Sequence, residues 1–317
     1  MMKKKLSLFL LIYAFVVSAV PAQTKLNYPK PRKVDQVDNY HGTKVSDPYR
    51  WMEDAPLNAD TQAWIESENQ LTDSYFSSIN AEREAIKARL TELWNYERYS
   101  APSKVAEGFY IYSKNDGLQN QSVLYRATSI SDPGKVFFDP NKLSTDGTAA
   151  LSGSSFSEDG KLWAYGIARS GSDRTEWKVM NVATGEHLPD TLRPNRQGGI
   201  SWLNDNSGFY YSRFPDAKVG AELKSENYFQ KLYFHKLGTP QDEDFVVYER
   251  PDNKEYFVGG GVSEDGNWLV ISVGKGTERM NMVYFKNLTM SKAPIIPLVE
   301  DLKNAWDFLG NDESTFY

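Results

Sequence analysis

The 317-residue sequence contains no cysteine and only three histidines, His41, His187 and His235. The absence of cysteine excludes disulfide bonds, cysteine-ligated zinc sites, thiol nucleophiles and an N-terminal lipidated cysteine. No two histidines have the spacing of metal ligands, so a histidine-based metal site is not expected. We therefore predict that the chain holds no metal and requires no cofactor.

Positive charge is also scarce, because 36 lysines and arginines face 42 aspartates and glutamates, for a net charge of −6. A protein that neutralises phosphates needs a surplus of basic residues, so nucleic acid is not an expected partner. Aromatic residues, in contrast, make up 14% of the chain and charged residues 25%. This composition excludes a disordered chain and supplies apolar area for a sizeable core, in one large domain or two ordinary ones.

Residues 1–22 differ in composition from the rest of the chain. Three lysines at positions 3–5 precede an apolar run of 15 residues at positions 6–20, and small residues then precede a cleavage point at Gln23. This is the layout of a secretory signal peptide. A membrane anchor is the alternative, but it needs about 20 apolar residues. We predict cleavage, and hence a periplasmic or secreted bacterial protein that has no membrane association after cleavage.

Residues 23–94 are predicted to form an N-terminal arm with two helices. Prolines interrupt residues 24–58, because the residue before a proline avoids the α region. Apolar residues then follow helical spacing in residues 60–80 and again in residues 86–94. Asn80 is expected to cap the second helix. Both helices need another surface to pack against.

From residue 95 onward the sequence changes to short apolar runs separated by turns. Two such runs, residues 109–112 and 122–125, flank an Asp-Gly turn and predict a hairpin. A unit made of an acidic turn followed by a strand then recurs, with its turn aspartates 46, 60 and 47 residues apart. The aspartates of these turns are Asp159, Asp205, Asp265 and Asp312.

A period of roughly 40 to 60 residues, with several strands in each repeat, is typical of β-propeller blades. The larger step predicts an additional loop around residues 216–227. A β-sandwich would also contain short strands and frequent turns, but the repetition of one unit at blade length favours the propeller. We therefore predict a mainly β fold, in which residues 95–317 form four to five blades of an incomplete seven-bladed type of propeller.

No catalytic apparatus is visible in the sequence. The Gly-x-Ser-x-Gly elbow of a serine hydrolase is absent, and the serine-rich stretches 152–155 and 170–172 lie among predicted strands, where we interpret them as turn residues. Adjacent carboxylates, such as Glu158 and Asp159, fall in turns that favour them for backbone reasons. A glycosidase with paired carboxylates remains the open alternative. The three histidines are predicted to have structural roles.

Several segments together resemble the prolyl oligopeptidase family. The N-terminal signature is YHGTKVSDPYRWMED at residues 40–54, and the later matches follow in the family's order up to the last residue. They are NDGLQNQSVLY at residues 115–125, FDPN at 138–141, FSEDG at 156–160, GSD at 171–173 and YFHKLGT at 233–239.

The resemblance implies a serine peptidase that cuts short peptides after proline, with a seven-bladed propeller that covers an α/β-hydrolase domain and filters substrates by size. The arm at residues 23–94 would belong to the hydrolase side. The serine, aspartate and histidine of the family's triad all follow the propeller. We therefore expect no catalytic residue in this chain, an absent C-terminal hydrolase domain as its partner, and no activity of the chain alone toward proline-containing peptides.

The family's propeller also contributes side chains to the outer positions of the substrate. Many relatives have an aromatic residue where this chain has residues 196–198, and some have an arginine where it has residues 274–276. The resemblance leaves Phe257 as the one candidate substrate-binding residue.

The alternative from another functional class is a stand-alone, propeller-like periplasmic binding module. Such a module is expected to end with a whole number of blades. The sequence instead stops within the turn-plus-strand unit at residues 311–317, which favours the fragment of a peptidase.

Overall fold

The computed structural model describes residues 26–54, 58–196, 198–216 and 226–317. The predicted signal peptide at residues 1–22 lies outside the described residues. The chain falls into two compact units, residues 1–92 and residues 93–317.

The first unit begins with a two-stranded hairpin of β1 (Val37–Tyr40) and β2 (Thr43–Ser46). Its two turn residues, His41 and Gly42, have φ angles of 53° and 92°. Two consecutive residues with positive φ match the twist of a two-residue hairpin turn, which explains the glycine. His41 thus lies in the turn of this hairpin.

Two helices follow the hairpin, α1 (Ala59–Ser78) and α2 (Asn80–Trp94). The side chain of Asn58 caps α1 by accepting a hydrogen bond from the amide of Asp60 at 2.9 Å. The predicted cap at Asn80 is wrong, because Asn80 is already the first residue of α2. Only Ile79 separates the two helices, and its carbonyl accepts a hydrogen bond from the amide of Arg83 at 3.1 Å.

The second unit consists of antiparallel sheets that follow one another along the chain. Sheet I contains β3 (Arg98–Tyr99), β4 (Ser103–Ala106), β5 (Phe109–Asn115), β6 (Val123–Ala127) and β7 (Lys135–Phe138). Sheet II contains β8 (Ala149–Phe156), β9 (Leu162–Arg169), β10 (Thr175–Asn181) and β11 (His187–Asn195). Sheet III contains β12 (Ile200–Trp202), β13 (Gly208–Arg213), β14 (Lys231–Lys236) and β15 (Phe245–Glu249). Sheet IV contains β16 (Tyr256–Val262), β17 (Trp268–Lys275), β18 (Asn281–Asn287) and β19 (Ile295–Val299), and a final pair is formed by β20 (Asn311–Asp312) and β21 (Thr315–Phe316).

The predicted turn-plus-strand unit forms the connection between the first and second strands of each later sheet. In sheet II, Ser157 donates its hydroxyl to Asp159 at 2.9 Å, and Gly160 completes the turn with a φ of 67°. Sheet IV repeats this turn with a 2.5 Å hydrogen bond from Ser263 to Asp265. The position of Gly160 in this turn has a positive φ, which glycine adopts without strain in sheets II and IV and which Asn206 adopts in sheet III.

Apolar side chains fill the spaces between consecutive sheets. Trp163 of β9 is fully buried between sheets I and II, and Phe209 of β13 is fully buried in the cluster shared by sheets II and III. Leu232, Leu269 and Ile271 are fully buried between sheets III and IV. The sheets therefore stack face to face in chain order, as blades of a propeller do.

The mainly β fold and the partial propeller are confirmed. Four four-stranded blades, the first with its inner strand split into β3 and β4, and two strands of a fifth lie within the predicted four to five. The predicted hairpin is formed by β5 and β6. Most of the predicted additional loop at residues 216–227 lies outside the described residues. The sheets of the described residues do not close into a ring.

Candidate functional site

The strand order places the connections of each sheet at two opposite edges. In an antiparallel sheet that runs in chain order, the connections after the second and fourth strands share one edge, which we call the upper edge. Only four residues separate β11 from β12, and six separate β15 from β16, so the upper edges of sheets II, III and IV adjoin one another. The first strand of sheet III, β12, also contacts the first strands of the two adjoining sheets, β8 and β16.

Phe257, the candidate substrate-binding residue, lies at the upper edge near the start of β16. Its half-buried ring packs edge-to-face on the buried ring of Phe214, with ring centroids 5.8 Å apart and an interplanar angle of 89°. Phe257 also lines a recess of about 350 Å³ together with Gly199, Ile200 and Ser212. This recess is large enough for one or two amino-acid residues.

The structure places parts of both segments that differ from the family pattern near Phe257. Gly274, which stands where some relatives have an arginine, is the direct partner of Phe257 in the ladder of β16 and β17. Gly199, just after residues 196–198, lines the same recess as Phe257. Gln197 itself lies outside the described residues. The resemblance to the family therefore points to positions that adjoin in the structure, although Gly199 precedes Phe257 and Gly274 by some 60 to 75 residues in the chain.

A cluster of arginines at the upper edge was missed by the sequence analysis. Arg196 donates to Asp173 at 2.9 Å and to the side-chain oxygen of Asn227 at 3.1 Å. Arg193 pairs with Asp242 at 2.6 Å. With Arg213 they line a small recess next to Phe214, which we call the arginine recess. The pairs join residues 23 to 49 positions apart, so no local pattern in the sequence indicates them.

The serine-rich stretches have structural roles. Ser154 on β8 accepts a hydrogen bond from the indole of Trp163 at 2.8 Å, and Ser155 donates to the carbonyl of Ile200 at 3.0 Å. Both stretches were interpreted as turns, but residues 152–155 lie within β8, and this detail was wrong. Ser170 does lie in a turn, with a φ of 52°. Serine residues therefore suit the alternating burial of strand β8 as well as they suit a turn.

The two remaining histidines bond to tyrosine or aspartate. His187 begins β11 and lies 3.2 Å from the hydroxyl of Tyr165. His235 is fully buried and lies within hydrogen-bond distance of Asp190 and Asp244. Among the described residues, no group of three or more histidine, cysteine or acidic side chains is arranged to hold a metal ion. No helix in the described part of the chain is long and apolar enough to cross a membrane.

Comparison with known proteins decides the family. Residues 28–317 match the family model described as "Prolyl oligopeptidase, N-terminal beta-propeller domain". The chain belongs to the prolyl oligopeptidase family. It is 38% identical over 314 residues to a prolyl endopeptidase of Elizabethkingia miricola and 40% identical over 309 residues to one of Elizabethkingia meningoseptica. These alignments cover 99% and 96% of the chain but only 44% and 43% of the two relatives.

Solved structures of family members have the same fold. A prolyl oligopeptidase B from Galerina marginata, bound to a 35mer hydrolysis and macrocyclization substrate, aligns with a TM-score of 0.77 at 29% identity. That alignment covers 93% of this chain and 44% of the Galerina chain. A structure from a study of two prolyl endopeptidases aligns with a TM-score of 0.61 at 35% identity, over 90% of this chain and 40% of that chain. The chain thus spans less than half the length of the relatives it matches.

Proposed function

We propose that the chain is the arm and propeller of a serine peptidase that cuts short peptides after proline. A hydrolase domain outside these 317 residues supplies the groups that cut the peptide bond. The observation that carries the proposal is the match of residues 28–317 to the N-terminal propeller domain of the family. The relatives that support it are named prolyl endopeptidases and are more than twice as long.

The exposed face of α2 is the surface on which the hydrolase domain would dock. The Ile86 and Leu90 side chains are 61% and 56% exposed, and no residue of this helix is buried. Apolar residues at i and i+4 form one stripe along a helix, and a stripe of this kind needs a partner to be removed from water. We propose that the arm contributes this stripe to the hydrolase side.

The propeller would act as the size filter. The first strand of sheet III contacts the first strands of sheets II and IV. We propose that peptides reach the hydrolase site by passing between the sheets of the propeller, so that only short peptides are admitted. Phe257 is proposed to contact the outer residues of the substrate, because its ring forms one wall of the recess at the upper edge.

Complementation with the missing domain tests this function. The full 317-residue chain is mixed with the C-terminal portion of the Elizabethkingia miricola enzyme, and labelling by a fluorophosphonate probe and cleavage of a proline-containing chromogenic peptide are measured. We expect no labelling and no cleavage with the chain alone, and cleavage only in the mixture. Probe labelling of a serine in the chain alone would contradict the proposal.

A matched pair of variants locates the docking surface. Leu90→Glu places a charge in the apolar stripe, whereas Lys87→Glu changes a polar, exposed position on the same helix. We expect the first variant to lower complementation at least tenfold and the second to leave it nearly unchanged. Equal losses would show that the stripe is not the docking surface. Circular dichroism of both variants controls for loss of the helix.

Export is the second part of the proposal, and it rests on residues 1–22. We propose that the signal peptide is removed and that the mature protein begins at or near Gln23. Mass spectrometry of protein from the periplasmic fraction tests this directly. An intact Met1 on the exported protein would contradict it.

A further inference from the structure

His235 lies between two carboxylates in the interior of the second unit. Its Nδ1 is 2.8 Å from Asp244 Oδ1, and its Nε2 is 3.1 Å from Asp190 Oδ1. The side chain of His235 has no exposure, and those of Asp190 and Asp244 are each 1% exposed. Three titratable groups are therefore buried together, and the proposed peptidase function uses none of them.

These three residues join two blades. Asp190 is on β11 of sheet II, whereas His235 is on β14 and Asp244 immediately precedes β15, both in sheet III. Asp190 Oδ1 also accepts the amide of Gly238 at 2.6 Å, which adds a second connection between the sheets. His235 is therefore the central member of a polar bridge across the boundary of sheets II and III.

The geometry decides the protonation of the ring. A neutral imidazole has one N–H and one lone pair, so it donates to only one acceptor. Here an acceptor carboxylate faces each ring nitrogen, and a lone pair directed at a carboxylate would be repulsive in a buried site. With both aspartates ionised, both nitrogens must carry protons to satisfy them. The ring thus fits these contacts only as an imidazolium.

We propose that Asp190, His235 and Asp244 form a charge clamp that holds sheets II and III together at neutral pH and releases them in alkaline solution. The clamp contains one cation and two anions, and loss of the ring proton leaves two buried carboxylates with a single N–H between them. Removing the charge of one partner in a buried ion pair is strongly destabilising, because the other charge stays buried without compensation.

The surrounding groups make His235 the one that titrates. Burial lowers the pKa of His235, but the hydrogen bonds that its ring donates to Asp190 and Asp244 outweigh burial and raise it to about 9. Burial raises the pKa of Asp190, but the hydrogen bonds from His235 and Gly238 outweigh it and hold that pKa below its usual value. Tyr211 donates its hydroxyl to Asp244 Oδ2 at 2.7 Å, and burial holds its pKa well above the usual value. Asp190 and Tyr211 therefore keep their charge states while His235 loses its proton.

The sign of the effect follows from linkage. An unfolded histidine has a pKa of about 6.5, and the folded value is higher. The clamp's contribution to stability is thus fully present below pH 6.5 and is lost as the pH rises through about 9.

Release of the clamp would reach the upper edge through a chain of hydrogen bonds. Tyr211 also accepts from the side-chain amide of Gln241 at 3.0 Å, and the side-chain oxygen of Gln241 accepts the amide of Arg193 at 2.9 Å. Gln241 and Arg193 both line the arginine recess. The clamp therefore also positions the rim of this recess.

Nuclear magnetic resonance tests the protonation state without any mutation. The chain has only three histidines, so selective ¹⁵N labelling gives three ring systems, and the variants His41→Gln and His187→Gln assign them. We expect both nitrogens of His235 to be protonated at pH 7.5, with a midpoint at least two units above that of a histidine in an unfolded peptide. A neutral His235 ring at pH 7.5 would overturn the proposal.

Hydrogen exchange tests the release. We expect the protection of residues 187–195 and 231–244 to fall at least tenfold between pH 7.5 and pH 10, after correction for intrinsic rates, while the strands of sheet IV keep theirs. Asp190→Asn, which removes one charge at nearly constant size, is expected to show the low protection already at pH 7.5. His187→Gln is the control, because the ring of His187 bonds to Tyr165 and contacts none of the three clamp residues that the structure describes. Unchanged wild-type protection at pH 10 would refute the clamp, even if Asp190→Asn fails to fold.

Discussion

The side-chain amide of Asn206 lies 2.9 Å from Asp159 Oδ2, and this hydrogen bond joins the first turn of sheet II to the equivalent turn of sheet III. A similar connection recurs two sheets later, where Asn311 of the final strand pair donates to Asp265 Oδ2 of sheet IV at 2.8 Å. Asp159 and Asp265 thus form the turn within their own blade and also connect that blade to the next one. Asp205 of sheet III instead accepts hydrogen bonds from Ser207 of its own turn.

Two substitutions at Asn206 separate the hydrogen bond from the backbone. Asn206 has a φ of 60°, a conformation that glycine adopts freely and alanine does not. We expect Asn206→Gly to lose about 1.5 to 3 kcal/mol of unfolding free energy, the contribution of a hydrogen bond to a charged group. Asn206→Ala is expected to lose roughly 1 kcal/mol more. Urea unfolding measures both, and an alanine variant as stable as the glycine variant would show that the backbone is not strained.

Asp159 is expected to make the fold sensitive to acid. Burial raises the pKa of Asp159, but hydrogen bonds from Lys161, Asn206 and Ser157 outweigh burial and hold it far below its usual value. A lowered folded-state pKa stabilises the protein above the unfolded value of about 3.9 and loses that stability as the pH falls further. We expect Asp159→Asn to flatten the decline in melting temperature below pH 4. The neighbouring variant Glu158→Gln is the control, and an equal flattening there would contradict this role.

Gly260 and Gly259 on β16 form a matched pair for testing the packing of sheets III and IV. A Cβ at Gly260 would lie 2.7 Å from a methyl carbon of the fully buried Leu232, whereas a Cβ at Gly259 meets nothing within 4 Å. We expect Gly260→Ala to lose about 1 to 3 kcal/mol through overpacking. Gly259→Ala is expected to change the unfolding free energy by less than about 1 kcal/mol. Any gain would come from the lower conformational entropy of the unfolded chain when alanine replaces glycine. Equal effects of the two changes in thermal unfolding would contradict this packing.

The 317-residue chain is expected to self-associate through uncovered sheet faces. On sheet I, the rings of Tyr112 and Tyr125 stack with centroids 5.3 Å apart, and no sheet among the described residues covers them. An apolar cleft of about 180 Å³ opens on sheet IV beside Trp306 and Phe316. Uncovered apolar faces favour association, and two different faces on one chain give head-to-tail contacts.

Light scattering at increasing concentration tests this expectation. We expect the average mass to rise with concentration and Tyr125→Lys to reduce the rise. Ile130→Lys is the matched control, because Ile130 is an exposed apolar residue in a loop of the same sheet and lies outside the stacked tyrosines. A monomer at all concentrations would count against the uncovered faces as association surfaces.

The repeating architecture could be predicted from the sequence because its determinants are local. The turn of Ser157, Asp159 and Gly160 is formed by contacts within four residues, and the glycine that its positive φ favours is visible in the sequence. Alternating apolar residues then specify the strand that follows. The helix stripe at Ile86 and Leu90 is local in the same way. The cap at Asn80 was wrong because one residue decides where two nearly continuous helices separate.

The contacts between side chains that are distant in the sequence were decided only by the tertiary structure. Arg196 meets Asp173, Phe257 meets Phe214, and His235 meets Asp190 across distances of 23, 43 and 45 residues. None of these partners is marked by spacing or by residue type, because stacking of whole sheets sets which edges adjoin. His235 could be assigned a structural role from the sequence. Its buried position between two carboxylates, and hence its charge, arises only when sheet II packs on sheet III, because low dielectric and fixed acceptors exist only in the packed interior.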